Sequence, residues 1–159
     1  MDEKLSLKIY LATDHAGFQL KQAAKVWLLL EGYEVIDLGA TSYDETDDYP
    51  AFIAAAARAV SLQPQTTRAV IFGGSGQGEA MLANRFPQVR ATVYYGGPLD
   101  IVTVGRAHND ANILSVGARF VTHEEAKAAI LAWLEASASS DPKYARRIAQ
   151  AEKLSPRSL

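Results

Sequence analysis

The run Val70-Ile71-Phe72-Gly73-Gly74-Ser75-Gly76-Gln77-Gly78-Glu79 carries the densest chemistry in the chain. An apolar, strand-prone segment stops at four glycines in six positions, and a carboxylate follows. Ala80 to Arg85 then reads as helix. A strand feeding a glycine loop and a helix N-terminus is an anion cradle, because free N–H groups point outward and the helix dipole is positive there. Glu79 sits where that dipole favours its ionised form. An ionised carboxylate beside oxyanion-stabilising amides suits proton abstraction next to a carbonyl. The plainer readings are a tight turn for the glycines and a surface glutamate that supports the helix start.

The standard nucleotide and hydrolase patterns fail on this loop. Gly73 and Gly78 have Walker A spacing, but Glu79-Ala80 stand where lysine and a hydroxyl residue belong. The dinucleotide fingerprint Gly-x-Gly-x-x-Gly ends on Glu79 or Met81 instead of glycine. The nucleophile elbow Gly-x-Ser-x-Gly ends on Gln77, which disfavours a serine hydrolase built on Ser75.

Four other clusters are candidates. Asp14-His15 reads as an acid/base pair, or as a cap on the following helix. His108-Asn109-Asp110 supplies a histidine that titrates near neutrality, or a structural loop. Arg146-Arg147 offers a phosphate clamp, although neighbouring helix positions diverge and at most one reaches a given ligand. Asp44, Glu45, Asp47 and Asp48 lack EF-hand spacing and read as a solvated loop. His123 also reads as solvated, and the three histidines show no metal-ligand spacing, so no metal is expected.

The elements that must position these groups alternate. Strands are expected at Leu7–Ala12, Tyr33–Leu38, Arg68–Phe72, Arg90–Tyr95 and Asn112–Val116. Helices are expected at Phe18–Glu31, from Tyr49-Pro50 to about Leu62, at Ala80–Arg85, from Leu99 to about Arg106, from the Thr122–Glu125 capping box to about Ala136, and at Lys143–Leu154. Ser137–Pro142 reads as a hinge. This βα alternation predicts an α/β fold, a five-stranded parallel sheet with helices on both faces. Ligands then bind beyond the carboxyl ends of the strands, where Asp14-His15, the glycine loop and Arg119 fall.

At 159 residues the chain is expected to form a single domain, 1–159. A net charge of −2 argues against a nucleic-acid footprint, and there is no cysteine for disulfides or thiolate chemistry. Met1-Asp2-Glu3-Lys4 lacks the form of a signal peptide, and no apolar run reaches membrane-spanning length. A cytoplasmic protein with no membrane association is expected.

Several stretches occur in an order that carries a family resemblance: Thr13 to Lys21, Thr46 to Pro50, Gly74 to Glu79, Ala83 to Arg85, Arg90-Ala91, His108 to Asn112 and Gly117 to Arg119. The chain resembles the ribose-5-phosphate isomerase type B and galactose-6-phosphate isomerase subunit family. The resemblance implies a Rossmann-like, three-layer α/β/α sandwich with a C-terminal helix. It also implies a cofactor-free aldose–ketose isomerase that works as a homodimer or homotetramer, with residues 137–159 packing on a partner subunit and active sites shared. One branch of the family uses a cysteine just before the glycine loop as base. Gly73 stands there, and Glu79 matches the base of the glutamate branch.

By position, the resemblance makes His108 the ring-opening residue and Asp14 its partner. Ser75, Asn109 and the amides of Gly74, Gly76 and Gly78 serve the enediolate, and Tyr49 borders the sugar. His15, Arg119 and Arg147 hold the phosphate, and Lys143 stands where the family often has arginine. Lysine keeps the charge but loses bidentate geometry. With the unmatched Tyr94–Gly105 stretch, it leaves open a tetrose, another pentose, a hexose phosphate or an unphosphorylated sugar. A non-catalytic sugar-phosphate sensor is the alternative outside catalysis.

Overall fold

A computed structural model of the chain describes residues 6–156. The Met1–Lys4 segment lies outside the described residues. Five strands, β1 (Lys8–Thr13), β2 (Glu34–Asp37), β3 (Thr67–Gly73), β4 (Ala91–Tyr94) and β5 (Ile113–Gly117), form one sheet in the order β2-β1-β3-β5-β4. Every pairing is parallel. The helices are α1 (Phe18–Leu30), α2 (Tyr49–Leu62), α3 (Gln77–Ala83), α4 (Asp100–Asn109), α5 (His123–Glu135) and α6 (Pro142–Leu154). A short 3-10 turn, His15–Gly17, precedes α1.

Alternation along β3 builds the three layers. Val70 and Phe72 face a core with Leu20, Ala24 and Leu28 of α1 and Ala126, Ala129, Ile130 and Trp133 of α5. Ala69 and Ile71 face the other way, against Ile53, Ala56, Ala57 and Val60 of α2 and Ala83 of α3. Successive side chains of a strand point to opposite faces, so a central strand buried on both sides is apolar throughout. Helix α6 buries no residue fully and rests on α4. Among the described residues, no helix is long and apolar enough to cross a membrane.

Most boundaries shift by a residue or two from the sequence expectation, and two larger shifts involve candidate residues. Helix α3 starts at Gln77, so Glu79 lies inside its first turn. Helix α4 runs to Asn109, so His108 and Asn109 belong to its last turn and not to a loop. Asp110 ends that helix in the left-handed conformation, φ 45°, which aspartate tolerates better than most residues.

The loop beyond β2 is anchored by a buried ion pair. Lys21 is fully buried, and its Nζ donates to Asp37 Oδ1 at 2.5 Å. Lys25 Nζ reaches Asp37 Oδ2 at 3.3 Å, and the Gly39 N–H donates to Oδ1 at 3.0 Å. Thr13 then exchanges backbone hydrogen bonds with Gly39 and Ala40, at 2.8 and 2.9 Å, just before Asp14. Burial alone would raise the Asp37 carboxyl. The bonds from Lys21, Gly39 and Lys25 outweigh it and hold the group below its ordinary value.

A carboxyl depressed in the folded state stabilises above its unfolded pKa, and that contribution is lost as pH falls through the folded value. Asp37→Asn leaves Lys21 buried without its counter-charge. It is expected to cost about 3–5 kcal/mol at neutral pH in denaturant unfolding. The gap from the parent protein should narrow as pH falls through the carboxylate range. A gap that ignores pH would contradict this account of the loop.

Candidate active site

Strand β3 ends at Gly73, and the chain turns through Gly76 at φ +77° into α3. The strand β5 edge fixes this loop. Ser115 Oγ donates to the Gly76 carbonyl at 2.6 Å, Ala118 N–H to that of Gly73 at 2.8 Å and Arg119 N–H to that of Gly74 at 3.1 Å. With those carbonyls engaged, the loop is held on its sheet side. Ser75 stands in the loop, and its Oγ accepts weakly from the Gln77 N–H at 3.4 Å.

Glu79 folds back from α3 and is 5% exposed. A Cβ at residue 73 would fall inside the Glu79 carboxylate. Glycine at 73 and this seat for Glu79 therefore require each other. The helix dipole alone would lower the Glu79 pKa, and burial shifts it the other way. Burial raises the Glu79 pKa above the ordinary value, its own backbone N–H opposes the shift, and nearby Asp14 adds to it. A carboxyl lifted toward working pH accepts a proton more readily than an ordinary glutamate.

Around this seat the carboxyl ends of β1 and β5 and the start of α2 contribute further groups. Asp14 is 7% exposed, and its Oδ1 accepts from the Ala16 N–H at 3.0 Å, so it caps the 3-10 turn as well as facing Glu79 electrostatically. The Tyr49 hydroxyl lies over Gly78, where a Cβ would come within 2.8 Å of it. The Arg119 guanidinium lies over Gly74, with Nη1 3.3 Å from where a Cβ would stand. Asp14, His15, Tyr49, Gly74, Ser75, Gly76, Gly78, Glu79 and Arg119 thus share one edge of the sheet.

Asp47 was read as part of a solvated acidic loop, and that reading is corrected. Its Oδ1 accepts from the His15 N–H at 2.8 Å and pairs with His15 Nδ1 at 2.7 Å. This bond is the largest cause of a raised His15 pKa, which desolvation opposes and the charges of Asp14 and Asp47 support. Asp14, His15 and Asp47 also bring three potential metal-ligand atoms within 4.8 Å of one another. Chain separation between residues 15 and 47 hid this cluster from any search by spacing. The one available signal was the run Thr46-Asp47-Asp48-Tyr49-Pro50 beside Tyr49.

His108, Asn109, Lys143 and Arg147 lie elsewhere. Helix α4 returns the chain to the amino edge of the sheet, where Asp110 Oδ2 and Oδ1 accept from Arg90 Nη2 at 3.0 Å and Arg106 Nη1 at 2.6 Å. Helix α6 packs there, with the Tyr144 ring stacked on His108 at 4.1 Å and 8° between planes. Lys143 Nζ and the Arg147 guanidinium lie 4.8 and 5.9 Å from the Tyr144 ring centre. Arg147 shares this face with Tyr144 three residues earlier, and both it and the adjacent Arg146 are exposed. His108, Asn109, Tyr144 and Arg147 line a cleft of about 580 Å³. Tyr144 was not singled out from sequence, although its three-residue offset from Arg147 was visible.

Asp47→Asn removes the acceptor that raises His15. The His15 imidazole titration, followed by NMR, should then move down toward the ordinary 6.5. More of the ring becomes neutral at pH 7, and any bound anion loses that positive charge. An unchanged midpoint would contradict the role given to Asp47.

Comparison with known proteins meets this geometry directly. Residues 9–151 match the family model described as Ribose/Galactose Isomerase. Ribose-5-phosphate isomerase B of Mycolicibacterium paratuberculosis is 39% identical over 142 residues, covering 89% of this chain and 87% of that protein. The Escherichia coli protein of the same name is 38% identical over 132 residues, covering 81% and 84%. Among solved structures, ribose-5-phosphate isomerase B of Mycoplasma genitalium with bound ribulose-5-phosphate has a TM-score of 0.89 at 30% identity, covering 94% of this chain and 96% of that one. The Clostridium thermocellum structure has a TM-score of 0.88 at 33% identity, covering 96% and 100%. A match across nearly the whole chain, in sequence and in backbone, means that the chain belongs to the ribose/galactose isomerase family.

Proposed function

We propose that the chain is a cofactor-free aldose–ketose isomerase that interconverts ribose 5-phosphate and ribulose 5-phosphate through a cis-enediolate. The observation that carries this reading is the buried Glu79 carboxylate, raised in pKa, seated over Gly73 beside the loop amides. Glu79 takes the proton from C2 of the open-chain aldose, and the electron pair moves onto the C1 oxygen. The hydroxyl proton then passes from the C2 oxygen to the C1 oxygen, and as the C2 oxygen becomes the carbonyl the same Glu79 returns its proton to C1. The loop amides and Ser75 hold the oxygen that carries the charge between these steps.

The remaining roles require a second copy. His108 and Asn109 stand at the amino edge of the sheet, and Glu79 stands at the carboxyl edge. Four steps along β5, from Ile113 to Gly117, span about 13 Å. A second copy that presents its α4 and α6 to the glycine loop supplies His108 for ring opening beside Asp14. It also supplies Asn109 for the enediolate. Its Lys143 and Arg147 join His15 and Arg119 on the phosphate, with Tyr49 bordering the sugar. Exposed Tyr95, Leu99, Ile101, Val104 and Phe120 offer apolar surface for such a homodimer, or for a homotetramer built from it. A cytoplasmic setting suits an enzyme of pentose phosphate metabolism.

Glu79→Gln keeps the size of the side chain and removes the base. In deuterated water it should stop label entering the sugar carbon and lower kcat by at least about 100-fold. Sugar-phosphate binding should survive, because the groups assigned to the phosphate are untouched. Turnover near the parent level would sink the assignment of Glu79 as base.

A further inference from the structure

Away from the glycine loop, a second cavity of about 590 Å³ opens at the amino edge of the sheet. Its lining includes Leu7 before β1, Arg68 of β3, Arg106 of α4, Asp110, and Trp133 and Glu135 near the end of α5. None of the residues given a part in the isomerisation lines it.

Two guanidiniums, Arg68 and Arg106, and two carboxylates, Asp110 and Glu135, line the cavity. Arg68 spends Nη1 on the carbonyls of Pro64 and Thr67, at 2.9 and 2.8 Å, and among the described residues pairs with no carboxylate. Arg106 is 7% exposed and bonds Asp110 Oδ1 and the Ala111 carbonyl through Nη1, and the Ala136 carbonyl through Nε at 3.4 Å. Asp110 is shared with Arg90, so one carboxylate serves two guanidiniums. Glu135, the other acid lining the cavity, is exposed and forms no ion pair with either arginine. Burial pulls Arg68 down to about 10, neighbouring Arg106 and Arg90 add to that, and Asp110 opposes it. Among the described residues, the Arg68 cation has no carboxylate of its own.

Trp133 supplies an independent observation. It is fully buried, lines the cavity, and its Nε1–H has no acceptor among the described residues. A buried indole N–H normally finds a partner, and leaving it without one costs about 1–3 kcal/mol. An oxyanion in the cavity can accept from guanidinium nitrogens, with the buried indole forming part of the wall beside it. We propose that this cavity is a second anion-binding site, separate from the isomerase centre, for a small ligand carrying a phosphate group. Arginine's planar fork suits that group, and the aromatic and aliphatic walls from Trp133, Tyr33 and Leu134 leave room for an organic remainder.

The Trp133 indole N–H is a built-in reporter, and Trp27 is the only other tryptophan. In the full chain labelled with nitrogen-15, inorganic phosphate should shift the Trp133 indole resonance saturably, while sodium chloride at equal ionic strength should not. Arg68→Gln should abolish the saturable shift, Arg68→Lys should weaken it, and both should keep the basal isomerase rate of the parent. The lysine variant preserves the charge if glutamine unsettles the fold. A Trp133 signal unmoved by phosphate, moved equally by chloride, or moved equally in both variants would overturn the proposal. These readouts do not depend on turnover, so they stand or fall separately from the isomerase reading.

Discussion

In an all-parallel sheet the loops leaving the strands stay at one edge, and each helix carries the chain back to the other edge. The rest of the functional arrangement depends on this constraint. Asp14, the glycine loop and Arg119 follow β1, β3 and β5 and are forced to a common edge. His108 and Asn109 end the helix that returns the chain to β5, so the same constraint places them at the opposite edge. No rotamer change bridges a strand's length. On the proposed function, a second copy must close the site, and the apolar surface around Tyr95 and Ile101 gives it a place to bind.

Within the glycine edge, the proposed chemistry turns on the seat of Glu79. A carboxylate in the first turn of a helix gains roughly 0.3–1 kcal/mol from the dipole in exposed settings. Burial works in the opposite direction and wins here. That outcome depends on Gly73, because any side chain at that position would displace the carboxylate from its present seat. The resemblance implies two branches of the family, with the base at the position of residue 73 in one and of residue 79 in the other. In this chain the geometry makes the two choices exclusive, since both would occupy the same space.

Much of this was legible in the sequence, for physical reasons. The alternation of apolar strand runs with helical segments is local, so the layer structure followed from it, and β3 was visible as an unbroken apolar run. The glycine loop and Glu79 were legible because steric and dipole requirements act over a few residues. The sign of the Glu79 shift was not, because burial depends on Asp14 and on the whole packed edge. Asp47 was hidden by 32 residues of separation from His15 and by acidic neighbours that looked solvated. The last turn of α4 was missed because Gly105 and β-branched Val102, Thr103 and Val104 lower helix propensity. Tertiary packing of Val102 and the Asp110–Arg106 bond carry the helix further.

The most direct test of a site divided between two copies is complementation. Glu79→Gln and His108→Ala chains are each expected to be inactive as purified. Each retains the half-site that the other has lost. When the two are unfolded together, refolded and assayed on ribose 5-phosphate, activity should return, because a hybrid brings an intact Glu79 edge to an intact His108 edge. Activity that stays at the level of the separate variants, in mixtures shown to contain hybrids, would contradict the shared site and with it the account of how this fold performs the reaction.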